Sequence, residues 1–265
     1  MSTQDIRFND GAAYERFMGR WSQPVGEQFL DWLAVEPGLA WLDVGCGNGA
    51  FTDILVRRMS PRAVAGLDPS PAQLSFARER FAAGVAEFHQ GDAMAMPFHT
   101  AAFDVAVMPL VLFFVPVPAK GVAEMARVVR PGGHVAAYAW DMDGGGFPYA
   151  SLMSELKALA VAVPEPPSPQ ASRLDAMTAL WTGAGLGNVE TTTITVQRTF
   201  DSFDHYWTTV LESPSAGVSL KAMPQEAHEA LQRVMRGKLP ADADGRIMLS
   251  GRANAVKGRV KPLSA

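Results

Sequence analysis

The sequence predicts a doubly wound α/β fold, a mostly parallel seven-stranded sheet whose last strand runs antiparallel, in a single domain over residues 1–265. Three observations carry this. Short β-branched runs alternate with amphipathic helical patterns from residue 24 to 195, a glycine-rich turn follows the first of those runs, and two segments break the alternation as insertions.

The strand candidates are, in order, Ala40–Val44, Ala63–Leu67, Ala86–His89, Phe103–Met108, His134–Ala139 and Val189–Val196. Between them, apolar residues spaced by three and four mark helices that cover the sheet: Val25/Phe29/Trp32/Leu33, Phe51/Ile54/Leu55, Val122/Met125/Val129 and Leu174/Met177/Trp181. Pro131-Gly132-Gly133 reads as the stop of one helix and the turn into the next strand. The first insertion, 141–172, holds Gly144–Gly146 and the proline-dense stretch Pro164–Pro169, which no regular element tolerates internally. The second, 200–240, adds aromatic residues and an amphipathic helix through Leu231, Val234 and Met235. A last strand over Arg246–Val256 should pair antiparallel at the sheet edge. Both insertions read as a helical, aromatic cap, and the first leaves the carboxyl end of a strand, the rim where open α/β sheets bind ligands.

Composition narrows the function. The chain has 265 residues, 48% of them apolar, and a net charge of −4, so no broad cationic surface is present to neutralise phosphates, and nucleic acid is not the expected partner. Cys46 is the only cysteine, which excludes a disulfide framework or a cysteine-rich metal site and fits a reducing, cytoplasmic location. No run reaches the roughly 18 apolar residues of a spanning helix, so no membrane partner is expected.

The chemistry concentrates where Trp41-Leu42-Asp43-Val44 runs into Gly45-Cys46-Gly47-Asn48-Gly49-Ala50. This is a strand, a tight turn and a helix start at which backbone approaches a ligand. Gly45-x-Gly47-x-x-Ala50 with Asp68 downstream also satisfies a dinucleotide fingerprint, so the pattern alone leaves a nicotinamide or flavin oxidoreductase open. Asp43 argues the other way. A carboxylate two residues before the first glycine opposes a diphosphate but complements the ammonium of a methionine moiety.

With these residues the sequence resembles the class I S-adenosylmethionine-dependent methyltransferases, in the small-molecule, methyltransferase type 11-like branch. Asp43-Val-Gly-Cys-Gly-Asn-Gly resembles the family's first motif, Gly66-Leu-Asp68-Pro-Ser70 its second and Gly91-Asp92-Ala93 its third. Phe103-Asp104-Val105 with Met108 is similar to the fourth strand, and Glu124 through Gly133 to the helix-to-strand motif. The resemblance implies a Rossmann-like fold and S-adenosylmethionine as cofactor. By that resemblance Gly45 and Gly47 pack on the methionine part beside Asp43, and Asp68 binds both ribose hydroxyls. Asp92 with the backbone of Ala93 reads the adenine edge, and Met108 lends its carbonyl to the amino group. Tyr14 to Ser22 resembles an amino-terminal segment that folds over the cofactor, placed here at 8–23, and makes Arg20 the partner of the cofactor carboxylate. A catalytically silent cofactor-binding regulator would share these features.

Motifs of other branches are missing. The site after the fourth strand reads Met108-Pro109-Leu110-Val111, without the Asn/Asp-Pro-Pro-aromatic run of the DNA amino-methylating enzymes or the aspartate that holds Mg²⁺ in catechol-type enzymes. Asp141 and Asp143, beside Gly144–Gly146, read as turn residues, and no metal is expected. The acceptor is expected to be a small apolar or aromatic molecule, with Trp21, Leu110, Phe113, Trp140, Tyr206 and Trp207 as pocket candidates. No acid–base group stands out. His205 and Tyr206, in Phe203-x-x-Tyr206-Trp207, are the candidates of that kind, in a setting that equally marks packing. An activated sulfonium methyl needs alignment and water exclusion more than proton transfer.

Overall fold

The computed structural model describes residues 15–213 and 216–262. Seven strands form one sheet in the order β3-β2-β1-β4-β5-β7-β6: β1 Ala40–Val44, β2 Ala63–Asp68, β3 Glu87–Gln90, β4 Phe103–Pro109, β5 Val129–Trp140, β6 Gly187–Phe200 and β7 Ile247–Arg259. Strands β1 to β5 pair in parallel, as right-handed βαβ crossovers require, and β7 is antiparallel to both β5 and β6. Parallel strands covered on both faces read as unbroken apolar runs, and β1 is buried at every residue.

The first layer of helices contains α1 (Arg20–Leu33), packed on β6 and β7 and beside α2 (Ala50–Met59). Its partner layer contains α4 (Pro118–Val128) on β4 and β5, beside α6 (Leu174–Gly183). Between α2 and β3 lies α3 (Pro71–Arg80), where Ser70 caps the helix by accepting the Gln73 N–H and Pro71 occupies the first turn, a position that needs no donor. The amino ends of the strands are pinned by Asp104, which accepts the Ala40 N–H at 2.7 Å and pairs with Arg62 and Arg130.

Two expectations change. The last strand does not lie at the sheet edge: β7 is inserted between β5 and β6, and its run Ala253–Val256 is wholly buried while β6 alternates and carries the edge. Alternation over Thr191–Thr199 is the pattern of a strand with one wet face, and it marks β6 as the outer element. Pro131-Gly132-Gly133 does not simply end a helix either. It sits within β5 as a bulge, since the β4–β5 pairing passes from Phe103–Val129 to Val105–His134.

The first insertion contains α5 (Ala150–Ala158), an irregular stretch through the prolines and a 3-10 turn at Pro169–Ser172. The second contains α7 (Phe203–Leu211), α8 (Ala216–Lys221) and α9 (Gln225–Lys238).

Candidate active site

The strand order reverses direction between β1 and β4, and there the chain builds its crevice. The β1–β4 ladder stops at Asp43–Val107, whereas β4 stays paired to β5 as far as Pro109–Tyr138, so Met108 and Pro109 run past the last β1–β4 pair. The glycine turn closes the other side. Gly45 and Cys46 donate their N–H groups to the Leu67 carbonyl at 2.7 and 3.1 Å, tying the turn to β2. Gly45 has φ +75°, and a Cβ built on it would come within 2.4 Å of the Val111 side chain. Gly47 has φ +52°, and such a Cβ would meet only the Gln73 side chain at 3.9 Å, so open space faces that glycine.

Three aspartates meet at this rim in three different states. Asp43, at the end of β1, is fully buried; its Oδ2 accepts the Thr52 hydroxyl at 2.6 Å. Its Oδ1 has no hydrogen-bond partner among the described residues. Burial pushes its pKa up to about 7, partly offset by the Thr52 hydroxyl and reinforced by the nearby Asp68 charge. Asp68, at the end of β2, accepts the Gly47 N–H with Oδ2 and the Ser70 N–H with Oδ1, both at 2.9 Å. Burial raises its pKa against those two bonds. Asp92 is exposed and forms a turn in which Oδ1 accepts the Met94 N–H at 2.8 Å, with Ala93 half-buried next to it.

An orphaned, buried carboxylate oxygen is rare and calls for an explanation. The ammonium of a methionine moiety fits it, and a diphosphate does not. Asp68 fits a diol as well, because each oxygen keeps a lone pair after accepting one backbone N–H. The residues present therefore suit S-adenosylmethionine.

Next to the crevice lies a cavity of about 740 Å³. Leu110, Phe113 and Trp140, three of the six pocket candidates, line it. The first insertion supplies most of the remaining wall, including Met142, Phe147 and Met153, and residues 17 and 18 close one side. Sequence reasoning did not single out these methionines, because a lone Met carries no motif. Trp21, Tyr206 and Trp207 do not reach this wall. All three are core residues, Trp21 bonded to Tyr149, Tyr206 packed on Tyr149 and Phe200, and Trp207 stacked on Phe203. Nor does any residue of 200–240 line the cavity, so among the described residues the second insertion backs the cap without facing it.

The remaining candidates lie elsewhere. His205 accepts the Asp201 N–H at Nδ1 and packs on Phe200, so its placement is that of a helix-start residue. Burial holds the Tyr206 phenol well above its usual range, which suits packing and not proton transfer. Arg20 opens α1 with an exposed side chain, and residues 8–14 of the expected covering segment, Tyr14 included, lie outside the described residues. Asp141 is a turn residue, as read: it accepts the Gly144 N–H and is gripped by Arg252 Nη2 at 2.6 Å. Among the described residues no cluster of three His, Cys, Asp or Glu side chains is gathered for a metal, and no helix is long and apolar enough to cross a membrane.

Residues 42–137 match a family model described as a methyltransferase domain. The chain is 37% identical over 95 residues to the phthiotriol/phenolphthiotriol dimycocerosates methyltransferase of Mycobacterium leprae, covering 36% of this chain and 35% of that one. It is 36% identical over 110 residues to the demethylmenaquinone methyltransferase of Desulfitobacterium hafniense, covering 40% and 44%. The chain thus spans between a third and a half of the length of such relatives. Among solved structures, a phosphoethanolamine N-methyltransferase 2 of Haemonchus contortus superposes with TM-score 0.62 at 19% identity, over 99% of this chain and 61% of that one. The [4+2]-cyclase SpnF superposes with TM-score 0.53 at 20% identity, over 98% and 86%. Similarity at that level speaks for the fold alone. The matched stretch holds the strand ends that carry Asp43, Asp68 and Asp92, and over residues 42–137 the chain carries a methyltransferase domain similar to those of the class I, type 11 S-adenosylmethionine-dependent enzymes.

Proposed function

We propose that this chain transfers a methyl group from S-adenosylmethionine to a small, apolar molecule seated in the cavity beneath the first insertion. One observation carries the reading: Leu110 lines that cavity while the next residue, Val111, packs against Gly45 of the glycine turn. The cofactor crevice and the apolar cavity are therefore one residue apart, which is the adjacency that direct transfer between two bound molecules needs.

In this reading Asp43 meets the ammonium, Asp68 takes the ribose hydroxyls, Asp92 with the Ala93 backbone and the Met108 carbonyl take the adenine, and Arg20 takes the carboxylate. The cofactor supplies the activated methyl. Leu110, Phe113, Trp140, Met18, Met142 and Met153 exclude water and orient the acceptor, and methionine, being flexible and polarisable, adapts to an irregular apolar shape. The names of the relatives, which act on lipid and quinone molecules, support an acceptor of that apolar kind. The acidic balance supports a small molecule over nucleic acid, and the free Cys46 supports a reducing, cytoplasmic setting.

Calorimetry with S-adenosylhomocysteine tests the first half: binding in the micromolar range, about −8 kcal/mol, is expected. Binding of NAD with none of S-adenosylhomocysteine would overturn it. Release of labelled methyl to apolar acceptors of quinone and lipid type, compared with charged amines, tests the second half.

A further inference from the structure

Two side chains outside every motif, Tyr149 and Arg198, meet behind one wall of the cavity. The single π turn Glu15–Gly19 precedes α1 and brings Phe17 and Met18 to the cavity. Its Phe17 carbonyl accepts two hydrogen bonds from distant parts of the chain, one from the Tyr149 hydroxyl at 3.3 Å and one from Arg198 Nη1 at 3.2 Å. Tyr149 belongs to the first insertion and Arg198 to β6, so three separate segments converge on one carbonyl. The Tyr149 oxygen in turn accepts the Trp21 Nε1–H at 3.1 Å and Arg198 Nη1 at 3.4 Å, and its ring stacks on Phe17 with centroids 4.5 Å apart. Arg198 lies over the Phe200 ring at 4.3 Å.

We propose that Tyr149 and Arg198 are positioning residues for acceptor binding: together they clasp the Glu15–Gly19 turn so that Phe17 and Met18 form one wall of the cavity. The proposal rests on the reading of that cavity as the acceptor site.

Three physical points support the clasp. The π turn is a local departure from α-helical bonding, which proteins keep where a particular presentation of side chains is needed. Tyr149 is almost wholly buried, and burial raises its phenol further above the usual range, so it stays protonated and remains a donor to Phe17. A guanidinium with several donors in a fixed fork can hold a carbonyl and a phenol oxygen at once, which a lysine cannot do with the same geometry.

The test uses the full chain with Tyr149→Phe, Arg198→Ala and Arg198→Lys. The probes are S-adenosylhomocysteine for the crevice and the apolar dye 1-anilinonaphthalene-8-sulfonate for the cavity. Wild type should bind both. Tyr149→Phe and Arg198→Ala should weaken the dye about tenfold, the loss of one charge-assisted or buried hydrogen bond, and speed amide exchange over residues 15–21 by a similar factor. Their S-adenosylhomocysteine affinity should stay within about threefold, with Arg198→Lys intermediate. Unchanged dye affinity and exchange would overturn the clasp, as would losses of dye, S-adenosylhomocysteine and thermal stability in equal measure, which would mean a purely structural role. Failure of wild type to bind S-adenosylhomocysteine would instead strike the proposed function, and absence of dye binding by wild type would strike the cavity as an acceptor site.

Discussion

Asp43 and Thr52 form a bonded pair in which only one carboxylate oxygen is satisfied, the Thr52 hydroxyl lying 2.6 Å from Oδ2 while Oδ1 waits for a donor. With its pKa pushed from 3.8 to about 7, Asp43 holds a proton in the free protein at mildly acidic pH. An ammonium docking there favours the carboxylate, so cofactor binding should release a proton. S-adenosylhomocysteine affinity should rise about tenfold from pH 6 to pH 8, with proton release seen by calorimetry in buffers of different ionisation enthalpy. Asp43→Asn should bind more weakly and without that slope. A pH-independent wild type would show that the ammonium goes elsewhere.

Asp68 has two tasks at once, holding the turn through Gly47 N–H and facing the ribose. Asp68→Asn keeps one acceptor oxygen and loses the charge. We expect about 10- to 100-fold weaker cofactor binding, corresponding to one or two charge-assisted hydrogen bonds at about 1.5–3 kcal/mol, partly recovered by water. A loss below about threefold in calorimetry would remove the ribose role.

The two glycines should fail differently. In Gly45→Ala the new methyl meets Val111 in a left-handed backbone, so folding stability should drop by about 1–3 kcal/mol, and Val111→Ala in the same chain should recover part of it. In Gly47→Val the side chain enters open space but the left-handed backbone still strains it, so urea unfolding should shift by about 1–2 kcal/mol, with no recovery from Val111→Ala, while cofactor binding is lost. Retained binding in Gly47→Val would mean the turn does not touch the ligand.

His134 and Asp43 should oppose one another in the pH dependence of stability. Burial first, then Arg259, Lys257 and Arg130, hold the His134 pKa down at about 4 against 6.5, so the unfolded chain takes up that proton first. Its contribution is full above 6.5 and is lost as pH falls toward 4. Asp43 has the reverse sign, because its raised folded pKa gives a contribution that is full below 3.8 and is lost as pH rises through about 7. The urea midpoint of the wild type should therefore vary little between pH 5 and 7, that of His134→Asn should fall with rising pH, and that of Asp43→Asn should rise.

The strands and helices of the core were legible because β1, β2, β4 and the helices over them obey simple periods, and because glycine and aspartate at strand ends have few structural uses. Asp43 was legible as a charge, but its burial and its bond to Thr52, nine positions on and across the glycine turn, were not. Aromatic residues misled. Trp21, Tyr206 and Trp207 look like ligand walls in a sequence, yet a large ring fills a core equally well, and only packing decides. Arg198 had no signal at all: in β6 it is one polar residue in an alternating strand, and its importance comes from a carbonyl 181 positions away. The place of β7 was only half visible: the alternation over Thr191–Thr199 fits an outer β6, but local sequence does not name which strand lies between it and β5.

That place of β7 has a consequence for how the molecule is made. Seven strands emerge from the ribosome in order, but the seventh belongs between the fifth and the sixth. Until residues 247–259 have left the exit tunnel, β6 has no neighbour, and one flank of β5 presents bare peptide groups along the segment His134–Trp140. Until then the chain is a nascent sheet with an open slot, the state in which strand exchange between neighbouring chains is easiest and chaperone capture most useful. Pairing of β7 is what joins the two halves of the sheet.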